Sequence, residues 1–201
     1  MRVVTIRFRH ALAALTAAAL LASVPASIGA APQSKKKTGP ETFNGKARVA
    51  TGTAVGDVTF TVQIDQYTPE KDLKAMEQAL QSGGSEAFVQ ALRKAPVAGH
   101  FKAGEKTFTI RWARQRETPK GRVISIVTDA PVYFVGAGLP DAKPRAGFDV
   151  AVGLLNMDSS GVGEGTMALA AKVKPAADNG VEIQDYATEP VKLVSIMKVI
   201  S

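Results

Sequence analysis

Cysteine is absent from the 201-residue chain, which excludes disulfides, iron–sulfur clusters, thiolate-bound zinc and thiol catalysis. It equally excludes the lipid attachment by which a bacterial lipoprotein is tethered through a cysteine. Histidine is scarce: of the 2 present, His10 falls in the leader described below, leaving His100 as the single imidazole able to act as a base near neutral pH. In Gly99-His100-Phe101 it reads as a strand residue, and no Gly-x-Ser-x-Gly elbow accompanies it. Long hydrophobic runs are missing too. The apolar stretch at residues 11–22 is about a dozen residues, against about 20 for a helix crossing a bilayer, so no transmembrane anchor is expected.

That stretch is nevertheless informative. It follows Arg2, Arg7 and Arg9 and precedes Pro25 and the small residues Ala26, Ser27, Gly29, Ala30 and Ala31. A charged region, a short apolar region and small residues at a cut site predict a cleavable secretory signal. The expected cut follows Ala30, with Ala26 and Ala31 as alternatives, and the mature chain is expected in the periplasm or outside the cell. Residues 31–42, with Lys35, Lys36, Lys37 and two prolines, have too little apolar surface to order themselves and read as a flexible basic tether. Residues 43–201 are expected to form a single α+β domain. Its charge is nearly balanced: the whole chain is formally +7, but from Phe43 onward 19 Lys and Arg face 17 Asp and Glu, a net +2. Nucleic acid as a partner is thereby disfavoured.

Hydrophobic periodicity predicts the elements. Residues 57–66 alternate, with Val58, Phe60, Val62 and Ile64 on one face, and residues 46–55 supply a partner strand across a turn at Gly56 and Asp57. Thr68 offers an N-cap hydroxyl, Pro69 a first helical residue, and Leu73, Met76 and Leu80 a helical stripe expected to stop at Gly83. Ser85 then caps a second helix carrying Phe88, Val89 and Leu92, closed by Pro96. Strands return at residues 106–115, 122–128, 148–154, 167–173 and 191–199. The prediction is an α+β fold: an antiparallel sheet or barrel of seven to nine strands, with a helical hairpin inserted after the second strand.

Few constellations carry chemistry. Arg111, Arg114 and Trp112, joined by Phe134 further along, are the candidate ligand-binding residues: a basic, aromatic cluster suits an anionic or apolar ligand. Alternation sets Trp112 on the face of Phe108 and Ile110, which makes its ring a core residue as well. Asn156, Asp158, Ser160 and Glu164 space oxygen ligands like a calcium loop around Gly161. The twelfth position is Met167 rather than glutamate, and the flanks read as strands, so a hairpin connection is the stronger reading and no metal is assigned. Gly161, Gly163 and Gly165 do not form a dinucleotide fingerprint, and no cofactor is expected.

The segments GGSEAFVQALRKAP, RVISIVTDAPVYF, GVGEGTMALAAKVK and DYATEPVKLVSIMKV, taken in this order, resemble an uncharacterised family of secreted, signal-bearing, β-rich bacterial proteins. The resemblance implies export and a shared single-domain fold, and carries over no activity or site residue. The expected function is that of an exported non-enzymatic binding or interaction domain, with an envelope component, a small apolar ligand or another exported protein as partner. Two alternatives stand beside it. One is a small apolar ligand carrier, whose barrel rows from Val58, Phe108, Phe148 and Met167 would line a cavity with Trp112, Phe134 and Met157. The other is a carboxylate-dependent hydrolase drawing on Asp57, Asp65, Asp129, Asp149 or Glu164.

Overall fold

Alternation at period two in most segments dictates strands, and in the computed structural model these strands pair into a ring. Residues 40–51, 54–132, 145–176 and 180–200 are described. In chain order the elements are β1 Glu41–Thr51, β2 Ala54–Ile64, α1 Glu70–Lys94, β3 Gly99–Ala103, β4 Lys106–Thr118, β5 Gly121–Thr128, β6 Val150–Asp158, β7 Val162–Pro175, β8 Val181–Tyr186 and β9 Val191–Lys198. Every pairing is antiparallel, in the order β6-β5-β4-β3-β2-β1-β9-β7, and β6 pairs back onto β7. The sheet is therefore an eight-stranded closed barrel, resolving the predicted choice between open sheet and barrel. β8 is an extra strand that pairs only with β7, where β7 outruns the barrel. No helix among the described residues is long and apolar enough to cross a membrane.

The barrel interior is packed. A row of cross-strand neighbours, Phe43, Val62, Phe101 and Phe108, runs across β1 to β4. Phe43, Phe101, Ile110, Ile126, Leu155 and Ile196 are each 0 % exposed. A void wide enough for water would leave accessible surface on the side chains around it, and these have none. Eight strands give an interior that side chains can fill, and here they do.

A second core lies outside the barrel wall, where α1 buries Leu73, Met76, Leu80, Phe88, Val89 and Leu92 against Trp112, Val127, Val150, Val152 and Val173. Two predicted faces change for this reason. Val150 and Val152 point outward under the helix, while Ala151, Leu155 and Met157 fill the interior. Trp112 is opposite Ile110, because the β4–β5 register shifts between them; a bulge at Arg111 turns the ring outward, 6.1 Å from Phe88.

The same bulge explains Thr68, which does not cap the helix. Its hydroxyl accepts from the Ala113 amide at 2.8 Å and donates to the Arg111 carbonyl, and its own amide donates to the Ala113 carbonyl. The backbone groups exposed by the bulge are thus satisfied, and Pro69 occupies the cap position. The expected helical hairpin is one helical run, broken only at Gly84, whose φ of 68° and ψ of −160° lie outside helical space. Two boundaries also move. β1 starts at Glu41, inside the predicted tether, and Gly56 and Asp57 do not turn the chain but pair within the ladder with Val49 and Arg48, which runs on to Thr51 and Ala54. β8 was not predicted.

Candidate functional site

The densest set of charges lies at the foot of the barrel, the end where β1 starts and β9 finishes. Glu41 is only 4 % exposed, so its carboxylate requires partners. Arg122 at the start of β5 grips it with both terminal nitrogens, at 2.9 and 3.0 Å, Lys198 donates at 2.7 Å, and the Tyr67 hydroxyl donates at 2.7 Å. Arg122 also donates to Gln115 and lies over the Phe43 ring. Burial pushes the Glu41 carboxyl up, but hydrogen bonds from Arg122, Lys198 and Tyr67 outweigh it and hold the group at about 2. Burial and the Glu41 contact both push the Tyr67 phenol up. The Glu41 carboxylate is thus fully engaged by its own protein. It locks the first strand to β5 and β9, and sequence reasoning missed it because Glu41 looks like part of the tether.

The predicted ligand-binding cluster is the seat of α1. Trp112 is 1 % exposed beneath the helix. Arg111 reaches Asp129 at 2.7 Å and donates to the Ala95 carbonyl at 2.6 Å, which fixes the C-terminal end of α1. Arg114 approaches Glu77 of α1 at 3.6 Å. Phe134 lies outside the described residues. The tryptophan is buried, as alternation also implies, and Arg111 and Arg114 beside it hold a helix in place.

The calcium-like segment is the β6–β7 hairpin. Asn156 and Glu164 are cross-strand partners, and Asp158 closes the turn: its Oδ1 accepts from the Ser160 hydroxyl at 2.6 Å and from the Ser160 and Val162 amides. These donors, the Ser160 hydroxyl foremost, hold the Asp158 carboxyl low. β6 and β7 stand where a calcium loop requires helices, and among the described residues no three His, Asp or Glu side chains converge on a metal-sized space. His100 is on the outer face of β3, 3.8 Å from Asp65, both substantially exposed. Of the five acids considered for hydrolysis, Asp57 pairs with Arg48 and Asp129 with Arg111. Glu41, Asp57 and Asp158 are all held below the ordinary carboxylate range by the donors that face them.

Concavities flank the barrel wall among the described residues. One, of about 580 Å³, adjoins the β6–β7 hairpin and Ser195, a non-glycine residue at φ 52° in a β9 bulge. Another, of about 880 Å³, is a groove between the C-terminal half of α1, residues 146–149 and the end of β7. Its helix wall is the stripe Glu86, Val89, Gln90 and Arg93, spaced as one helical face. Val89 and Val173, both almost wholly buried, lie beneath it, and Gly83, Gly84 and Gly147 leave parts of the wall as bare backbone. Asp149, Lys172 and Lys174 complete the rim; Lys174 is paired with Glu182. The groove draws on four separated stretches of chain, so no local sequence pattern marks it.

The fold thus defines a closed antiparallel barrel with an external, kinked helix. Comparison with family models, with curated proteins and with solved structures finds no match to this chain.

Proposed function

We propose that the mature chain is an exported, non-enzymatic interaction domain that uses its barrel as a solid scaffold and recognises its partner on the outer wall. The observation that carries this reading is the packed interior: Phe43, Phe101, Ile110, Ile126, Leu155 and Ile196 at its centre have no accessible surface, which favours a scaffold over an internal carrier. A further feature supports it: the charged, then apolar, then small-residue leader fits export. The partner is an envelope component or another exported protein, met at the groove beside α1.

Titration of the mature chain with a fluorescent fatty acid tests the scaffold reading. The expected result is no saturable binding; stoichiometric binding that resists competition at the surface would restore the carrier. A photo-crosslinking amino acid at the exposed groove position Gln90, in cells exporting the chain, tests the interaction reading. A discrete adduct is expected there and not from the same group at exposed Thr107 on β4; equal labelling from both sites would contradict it.

A further inference from the structure

We infer that the outer rim of the foot, at the end of β9, docks on an anionic lipid surface, its exposed apolar side chains entering the headgroup layer and its lysines meeting the lipid charge. The inference goes beyond the partner reading above, since none of the rim residues borders the groove beside α1.

Exposed apolar surface is concentrated at this rim. Seven large apolar side chains stand exposed among the described residues, and four of them, Val162, Met197, Val199 and Ile200, belong here. Val162 and Met197 are cross-strand neighbours on β7 and β9. Val199 carries the same edge onward, its amide donating to the Thr42 carbonyl. Met197 is 58 % and Ile200 94 % exposed. Alternation along β9 sets Met197 outward, because Leu193 and Ile196 fill the interior and Lys198 turns in to Glu41. The core therefore makes no use of these side chains, and a group of them in water, rather than one alone, marks a contact surface.

Shape and charge favour lipid as the occupant. Four side chains cannot supply the roughly 800 Å² that each partner of a stable dimer buries. Met197, Val199 and Ile200 border neither concavity described above, so they project from the rim instead of lining a recess made for a partner's side chain. Cations accompany them. Lys46 lies opposite Val194 on the outer face of β1, and Lys120 shares the smaller concavity with Val162. Lys35, Lys36 and Lys37 precede Glu41, where β1 enters the foot, by only four to six residues. Asp158 and Glu164 line the same concavity, but the Asp158 carboxylate is already held by Ser160 and Val162. Neither a few apolar side chains nor a short basic run holds a protein on a bilayer alone, and the two together do.

The test is cosedimentation of the mature chain with vesicles of phosphatidylcholine alone and of phosphatidylcholine mixed with phosphatidylglycerol. Binding is expected to the anionic vesicles only, and to fall away in high salt. Met197→Gln combined with Ile200→Asn, both at exposed positions, should weaken that binding about tenfold. Replacing Lys35, Lys36 and Lys37 together by Gln should weaken it about a hundredfold. Melting temperatures check that both variants keep the fold. Equal binding to the two kinds of vesicle, or binding to neither, would overturn the inference. So would anionic binding that the Met197 and Ile200 variant leaves unchanged, because the contact would then lie elsewhere. Sedimentation velocity supplies a further arm: a dimer abolished by the same variant would give the rim to a second copy of the chain and overturn the lipid assignment. The Gln90 crosslink decides the partner reading separately.

Discussion

The foot of the barrel and the groove beside α1 both gather charged side chains and treat them differently. At the foot, Glu41, Arg122 and Lys198 are close-packed, mutually bonded and, for Glu41, almost wholly buried. Along the groove, Glu86, Asp149 and Lys172 stand without ion pairs among the described residues. A charge buried at a cost of several kcal/mol is retained only where its partners are complete, so the foot is architecture. The groove charges stay in solvent, where an ion pair adds little, as Lys71 on the exposed face of α1 also does.

The comparison can be broken from either side. The largest effect is expected from neither region but from the clamp that joins them: Trp112→Ala empties the space beneath α1 and should cost about 4 kcal/mol in urea unfolding, with loss of the groove wall. At the foot, Glu41→Gln leaves Arg122 facing a neutral group and should cost about 3 kcal/mol. The pH dependence sharpens this. The Glu41 carboxyl titrates at about 2 when folded, below its ordinary value of 4.5, so its contribution of about 3 kcal/mol is complete above pH 4.5 and disappears as the pH falls toward 2. The stability gap between wild type and Glu41→Gln should close over that window; a gap that persists at pH 2 would remove the ionic lock. Ser195→Gly relieves a left-handed backbone in the β9 bulge and should add about 0.5–1 kcal/mol. Glu86→Lys, in the groove, should change stability by less than about 0.5 kcal/mol, and a larger loss would show the groove charges to be structural after all.

Much of the architecture was legible in period-two patterning. β2, β4, β5, β7 and β9 were found where alternation marks them, and Gly84 breaks α1 within a residue of the expected stop. What alternation cannot convey is which face is inside when both faces are apolar. The α1 helix makes the outer wall as hydrophobic as the lumen over β6, so Val150 and Val152 were assigned inward and lie outward. One inserted residue reverses every face beyond it, and the bulge at Arg111 did this to Trp112. β8 escaped because only Val181 and Ile183 alternate, and both remain half-buried on an edge. Neither the lock nor the groove has a linear signature: the first joins residues 41, 67, 122 and 198, and the second gathers helix, loop and strand.

In the proposed function the barrel is solid and the partner is met on its outer wall. Native mass spectrometry of the mature chain, purified gently from its own exported fraction, tests this most directly. The account predicts a polypeptide mass with no small molecule released on denaturation, and partner protein as the only added mass. A stoichiometric apolar molecule released on unfolding would contradict it, since such a molecule would have to occupy the interior now filled by Phe43, Phe101 and Ile126.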